Sequence, residues 1–96
     1  MQLESKIQSK ILKELKAAGI YAHKNITTNK KGIPDIIVCY RGKYVALEVK
    51  RPGGKPTELQ LWNINEIRKS GGVAEIVYGW EDVVTVLNEV ADEKTN

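Results

Sequence analysis

Gly32-Ile33-Pro34-Asp35, then Ile36-Ile37-Val38-Cys39-Tyr40, Arg41-Gly42-Lys43, Tyr44-Val45-Ala46-Leu47 and Glu48-Val49-Lys50: this unbroken stretch decides the fold. Its two apolar runs are rich in β-branched and aromatic residues, and both read as strands. Arg41-Gly42 is the only turn signal between them. The stretch is therefore expected to be a β-hairpin with a charged group at each end. With a loop of two residues, or of four from Tyr40 to Lys43, paired positions sum to 83 and Asp35 lies opposite Glu48. Directly opposed side chains share a face, with Cβ atoms about 5 Å apart. Lys50 joins Glu48 on that face because side chains alternate with period two. A three-residue loop would shift the register and separate the pair.

Like charges facing each other across a hairpin destabilise it, so something must compensate. One answer is a divalent cation, since Mg²⁺ is held by one or two carboxylates together with waters and phosphate oxygens. The other is neutralisation by Lys50 or Arg51. The surrounding charge bears on the choice. From Lys24 to Lys55 there are eight basic residues (Lys24, Lys30, Lys31, Arg41, Lys43, Lys50, Arg51 and Lys55) and only Asp35 and Glu48 as acids. The window carries +6 and the rest of the chain −3, giving the overall +3. Basic groups around a carboxylate pair suit a metal-dependent enzyme acting on a polyanion. The cations hold phosphates, and the carboxylates hold the ion that activates water and stabilises the leaving oxygen. The bland alternative is a solvated basic face with two chance acids.

The 96 residues are expected to form one domain, 1–96, with 91–96 as a polar tail that frays. At 42% hydrophobic and 28% charged, the composition is that of a soluble globular protein. A sequence pI near 9.0 makes nucleic acid a plausible partner. Cys39 is the only cysteine, which excludes an intrachain disulfide. In its apolar run it is expected to be a small buried residue. One Cys and one His exclude a Cys/His zinc site. No apolar run approaches the roughly 18 residues of a membrane span. Met1-Gln2-Leu3-Glu4-Ser5-Lys6 is too polar for a signal peptide. The chain reads as intracellular and cytoplasmic, a location that a virus-encoded protein in a host cell would share.

Leu3, Ile7, Ile11, Leu15 and Ala18 form a helical stripe closed by Gly19. Glu4 falls inside that stripe: it either favours the helix dipole from the first turn or points into a cleft beside the hairpin. Residues 20–25 read as a first strand, and 26–31 as a polar, basic, mobile loop suited to clamping a phosphate backbone. His23, near the strand end, could be a general base but has no paired partner in the sequence. Beyond the hairpin, Arg51-Pro52-Gly53-Gly54-Lys55-Pro56 is irregular. Thr57-Glu58-Leu59-Gln60 is a capping box opening a helix to about Ser70. Leu61, Ile64 and Ile67 are expected on its buried face, flanked by Leu59 and Trp62. Val73 to Tyr78 reads as a fourth strand, whose strand–helix–strand connection implies a right-handed crossover and parallel pairing. Glu81 to Val90 reads as a last helix.

This α-β-β-β-α-β-α order, with Pro34-Asp35 followed by Glu48-Val49-Lys50, resembles the PD-(D/E)xK nuclease superfamily and its restriction-endonuclease-like fold, an α/β class with a mixed sheet. It is most similar to the virus-type replication-repair nuclease (VRR-NUC) branch. The elements shared with that branch are the helical Glu4, Gly32-Ile33-Pro34-Asp35, Glu48-Val49-Lys50 and Gln60, in that order, and the resemblance covers about residues 3–90.

The resemblance implies an endonuclease that cuts phosphodiester bonds with Mg²⁺ or Mn²⁺. It implies Asp35 and Glu48 as metal ligands, the Val49 carbonyl as a third, and Glu4 completing the shell directly or through water. Lys50 would orient or deprotonate the attacking water, or stabilise developing charge. Gln60 would orient Lys50 or the water, in competition with its capping role. Lys24, Lys30, Lys31, Arg41, Lys43, Arg51 and Lys55 are the candidate DNA contacts. Small members resemble archaeal Holliday-junction resolvases of DNA repair and recombination, which implies a homodimer acting on branched DNA. The absence of an added recognition domain in these 96 residues agrees with reading of shape rather than sequence. Trp62, Trp80 and the valine-rich last helix are candidates for a subunit contact, with core packing as the alternative. Two other functions stay open: a non-catalytic nucleic-acid-binding module, and a nuclease subunit that cuts only with a partner.

Overall fold

The computed structural model describes residues 3–26 and 29–95. The elements are α1 (Glu4–Ala17), β1 (Tyr21–Lys24), β2 (Ile36–Tyr40), β3 (Lys43–Val49), α2 (Glu58–Lys69), β4 (Val73–Val77) and α3 (Trp80–Thr95). The four strands form one sheet in the order β1-β2-β3-β4. β1–β2 and β2–β3 are antiparallel, and β3–β4 is parallel. This is the mixed α/β architecture, in the element order, that the sequence implies. No helix among the described residues is long and apolar enough to cross a membrane.

The hairpin closes with the two-residue loop. Arg41 (φ 52°) and Gly42 (φ 79°) both take the left-handed conformation, as a type I′ turn requires, and that turn matches the twist of the flanking strands. The register runs from Tyr40↔Lys43 to Ile36↔Leu47. Continued one step, it brings Asp35 opposite Glu48.

Alternation along the strands sorts the sheet into two faces. Ile36, Val38, Val45, Leu47 and Val49 face α1 and α3, where they meet Ile7, Ile11, Leu15, Val83, Leu87 and Val90. This is the main core. Truncating a fully buried member such as Ile11 to Ala would cost about 2–5 kcal/mol. On the opposite face Ala46 and Ala74 pack under Ile64 of α2. α2 packs against β3 and β4, and on the β1–β2 half of that face Tyr21, His23 and Cys39 are exposed.

That uneven cover accounts for two departures from the sequence reading. Cys39 is exposed, not buried: its run is apolar, but its side chain lies on the half of the face α2 does not reach. Leu61 is 42% exposed. The inward stripe of α2 is set by Asn63, Ile64 and Ile67, and Leu61 sits a helical step outside it. Both helix caps expected from the sequence form. At Gly19 the N–H of Ile20 reaches the Leu15 carbonyl (3.0 Å) and that of Gly19 reaches Lys16 (3.0 Å), the paired bonds of a Schellman ending. The last helix continues past Val90 to Thr95, because Ala91-Asp92-Glu93-Lys94 contains no helix breaker. Of the loop expected over 26–31, Thr27 and Thr28 lie outside the described residues.

Candidate active site

The open end of the hairpin is built by a break in the ladder. In a regular antiparallel pair, residue 34 would face Val49 and exchange both backbone bonds with it. Pro34 has no N–H to offer, and its carbonyl instead accepts from Asn25 Nδ2 at 2.7 Å. The Asp35 side chain fills the gap: Val49 N–H donates to Asp35 Oδ2 at 2.8 Å. Asn25 N–H donates to the Asp35 carbonyl at 2.8 Å, so Asp35 is held through backbone and side chain together. The Val49 carbonyl lies on the same side of β3 as its N–H, facing Asp35, and β2 supplies it no donor.

Glu48 is 2% exposed, and its Oε1 has no hydrogen-bond donor. Burial is the main reason its carboxyl is pushed from an ordinary 4.5 up to about 8. The neighbouring charge of Asp35 and a carboxyl–carboxyl hydrogen bond to it add to the rise, Lys50 opposes it, and Glu4 adds a smaller push. The bond between the two acids exists only while one of them keeps a proton. Lys50 is itself buried, with Nζ 3.8 Å from Glu48 Oε2. Its backbone N–H extends the parallel ladder to the Val77 carbonyl at 3.0 Å, which fixes where the side chain begins. From α1, Glu4 Oε2 accepts from Arg51 N–H at 3.5 Å. Glu4 therefore reaches the end of β3 from the far side of the sheet, in addition to standing in the first turn of its helix.

Asp35, Lys50 and Glu4 thus all act on the buried Glu48 carboxyl. If all three acids ionise, the cluster is short of positive charge, and at neutral pH the raised pKa of Glu48 meets this by retaining a proton. Among the described residues no group of three or more His, Cys, Asp or Glu is gathered to share an ion. The groups that could hold a cation here are Asp35 and Glu48 with the Val49 carbonyl, and Glu4 makes the smallest contribution to the Glu48 shift. An orphaned buried carboxylate oxygen, a second carboxylate and an unclaimed carbonyl fit a hard divalent cation that keeps part of its water shell.

A family model for the VRR-NUC domain matches residues 1–81. The chain belongs to the VRR-NUC domain family. Membership supports a nuclease function. Over 59 residues, 60% of its length, the chain is 36% identical to "Putative nuclease p44" of Acyrthosiphon pisum secondary endosymbiont phage 1. The match spans 63% of that protein. A solved structure named "VRR_NUC domain" superposes with a TM-score of 0.74 at 26% identity, covering 88% of this chain and 94% of the other. Another, named "VRR_NUC domain protein", gives 0.79 at 20% identity, covering 93% and 88%, and bears on the fold alone.

In this VRR-NUC domain Asp35, Glu48, Lys50 and Glu4 come together at one end of the hairpin, and Gln60 is engaged at the cap of α2. Its Oε1 accepts from Thr57 N–H at 2.8 Å while its own N–H donates to Thr57 Oγ1 at 3.1 Å, which completes the capping box. The basic residues divide. Lys30 and Lys31 line a cleft of about 390 Å³ with Asp35. Lys24 pairs with Ile36 at the same end, and Arg51 and Lys55 lie on the loop leaving β3 there. Arg41 and Lys43 lie at the hairpin tip, about five residues or ~17 Å away along the strands. Arg41 stands 5.7 Å over the Tyr40 ring, and Lys43 Nζ donates to the Gly71 carbonyl at 3.2 Å. His23 is exposed, edge-on to Tyr21 at 6.4 Å.

Three polar residues of this end were not singled out in the sequence. Asn25 positions Asp35, as described. Asn63, 3% exposed, donates from Nδ2 to the Lys31 carbonyl at 3.2 Å and to the Leu59 carbonyl at 3.0 Å. It ties the turn before Asp35 to α2. Gly32 makes that approach possible: its φ is +76°, and a Cβ there would meet Leu59 Cγ at 2.6 Å. Gln8 is 8% exposed, with an unpartnered Oε1, one turn after Glu4. Gln8 and Asn63 carried one legible signal, a polar residue on the inward stripe of an amphipathic helix.

Proposed function

We propose that this VRR-NUC domain is a metal-dependent, structure-selective DNA endonuclease that hydrolyses phosphodiester bonds, with branched DNA such as four-way junctions as substrate. The observation that carries the reading is the buried Glu48 and Lys50, with Asp35 and Glu4 acting on Glu48 and Asp35 opening into a basic cleft. A module that only bound phosphate would gain nothing from buried carboxylates, which oppose the polyanion.

Asp35, Glu48 and the Val49 carbonyl would hold Mg²⁺ or Mn²⁺, with Glu4 acting through water. When bound, the cation lowers the pKa of water and offsets charge on the phosphoryl oxygens. The remaining work belongs to the chain. Lys50, held by Glu48, orients the attacking water or neutralises charge that develops on the phosphate. Asn25 and the Val49 N–H hold Asp35 in place. Gln60 would orient Lys50 or the water, in competition with the cap its Oε1 makes to Thr57 N–H. Lys24, Lys30, Lys31, Arg51 and Lys55 hold phosphates beside the scissile bond, and Arg41 and Lys43 meet duplex further along. Contacts of this kind position DNA without reading its bases.

Resolving a junction takes two cuts, so the proposal includes a homodimer, whose two-fold axis supplies two equivalent sites. The purified chain is incubated with Mg²⁺ or Mn²⁺ and single-stranded, duplex, flap and four-way-junction DNA, and its mass is measured by sedimentation at micromolar concentration. Paired cuts in the junction by a dimer support the whole reading. Absence of cleavage on every substrate, with DNA bound, would leave a binding module or a subunit awaiting a partner.

A further inference from the structure

Trp62 is 51% exposed on the outer side of α2, although α2 has an apolar interior stripe that could have taken it. Lys30 Nζ lies 5.6 Å from the centre of its ring. The same lysine borders two clefts. One, of about 390 Å³, contains Lys31 and Asp35. The other, of about 270 Å³, lies between Tyr44, Asn63, Glu66 and Ile67. Glu66, which lines the second cleft, is one helical turn beyond Trp62 on the same side of α2.

We propose that Trp62, with Lys30 beside it, is a stacking platform for an unpaired nucleobase of the DNA strand whose phosphate lies at Asp35. The inference rests on the nuclease reading above and adds the feature by which a branched substrate would be told from a regular duplex. Single-stranded nucleic acid is held by two devices together, a basic track for the backbone and an exposed aromatic ring for the base. Both meet at Lys30. The charges of the two clefts separate the two parts of a nucleotide. The Asp35 cleft carries Lys30 and Lys31 and suits a phosphate. The second cleft shares Lys30 but adds Glu66, itself ion-paired with Lys69 at 3.2 Å, with Tyr44 and Ile67, and suits an uncharged flat base. A continuous duplex keeps its bases stacked and must be opened to use the platform, whereas a splayed fork or flap offers an unpaired base at the branch point.

The test uses the full chain carrying Trp80→Phe, so that Trp62 is the only tryptophan, in metal-free buffer. Labelled DNA reports binding by anisotropy, and indole emission and acrylamide access report Trp62. The splayed fork is expected to quench Trp62 and shield it from acrylamide, and blunt duplex at equal occupancy is not. Trp62→Ala should weaken fork binding by about 5- to 150-fold, the range a stacked base contributes. It should leave duplex binding unchanged, and Trp62→Phe should restore most of the loss. Equal signals from fork and duplex, an unaltered indole, or equal loss on both DNAs would overturn the platform. So would a dimer that becomes a monomer on Trp62→Ala, since the ring would then belong to a contact between copies. Adding Mn²⁺ separates the two readings: cleavage with a silent Trp62 removes the platform alone, and a quenched Trp62 without cleavage removes the nuclease alone.

Discussion

The two ends of the β2–β3 hairpin are made of the same strands and both carry charge, yet they are physically different. At the tip every charge is accommodated: Arg41 lies over Tyr40 and Lys43 is bonded to the Gly71 carbonyl. At the open end Glu48 is buried with an oxygen that has no donor, and Asp35 substitutes for a missing strand partner. A protein does not leave a buried carboxylate oxygen unserved without cost. The tip is structure completed within the chain, and the open end keeps a buried polar atom that the chain leaves without a donor.

The sharpest way to break this contrast is by cleavage. Asp35→Asn, Glu48→Gln and Lys50→Ala should each lower the rate at saturating DNA by about a thousandfold or more, in line with loss of a group that acts in the transition state. The double change Arg41→Ala, Lys43→Ala at the tip should stay within about tenfold. Rates and thermal melts of all four proteins decide it. A folded Asp35→Asn protein with a near-normal rate would remove the open end as the site.

Acidity offers a second probe. The Glu48 carboxyl has a folded pKa of about 8 against an ordinary 4.5. Between those values the folded state binds the extra proton, so stability falls as pH rises. Metal-free protein should therefore melt progressively lower from about pH 5 to about pH 9, and Glu48→Gln should flatten that slope. Mg²⁺ or Mn²⁺ should raise the melting temperature most at the alkaline end, because binding takes the ionised form. A slope unchanged in Glu48→Gln would assign the titration elsewhere.

Smaller effects test how the open end is held. Gly32→Ala meets both a left-handed φ and Leu59, and should cost about 1–3 kcal/mol in a denaturant titration. Asn63→Ala removes the tie to the Lys31 carbonyl and should cost about 1–2 kcal/mol. If both variants kept wild-type stability, the seating of this turn on α2 would be irrelevant to the site. The mildest contrast is in salt. Neutralising Lys30 and Lys31 together should reduce the slope of log affinity against log salt by about two, and neutralising Arg41 and Lys43 by less. Equal reductions would mean that DNA lies along the whole hairpin.

Much of this was present in the amino-acid order alone, because it depends on local rules. Period-two alternation, one turn signal and a Pro-Asp before the first strand place Asp35 opposite Glu48 with Lys50 on the same face. Gly19, the Thr57–Gln60 box and Gly71 bound the helices through backbone chemistry confined to a few neighbours. What only the tertiary structure decided depends on contacts distant in sequence. Glu4 joins the cluster because α1 ends its approach beside Arg51, 47 positions away. Lys43 is fixed at the hairpin tip because the residue after α2, Gly71, offers it a carbonyl. Cys39 is exposed because α2 covers only half of its sheet face, and no periodicity within its strand encodes that. Asn25 and Asn63 position the Asp35 turn through bonds whose partners are nine and 32 residues away, respectively. Side-chain direction is a local property and can be read from spacing. Desolvation, and with it the raised pKa of Glu48, is the sum of everything packed around a group, and exists only once the chain has closed on itself.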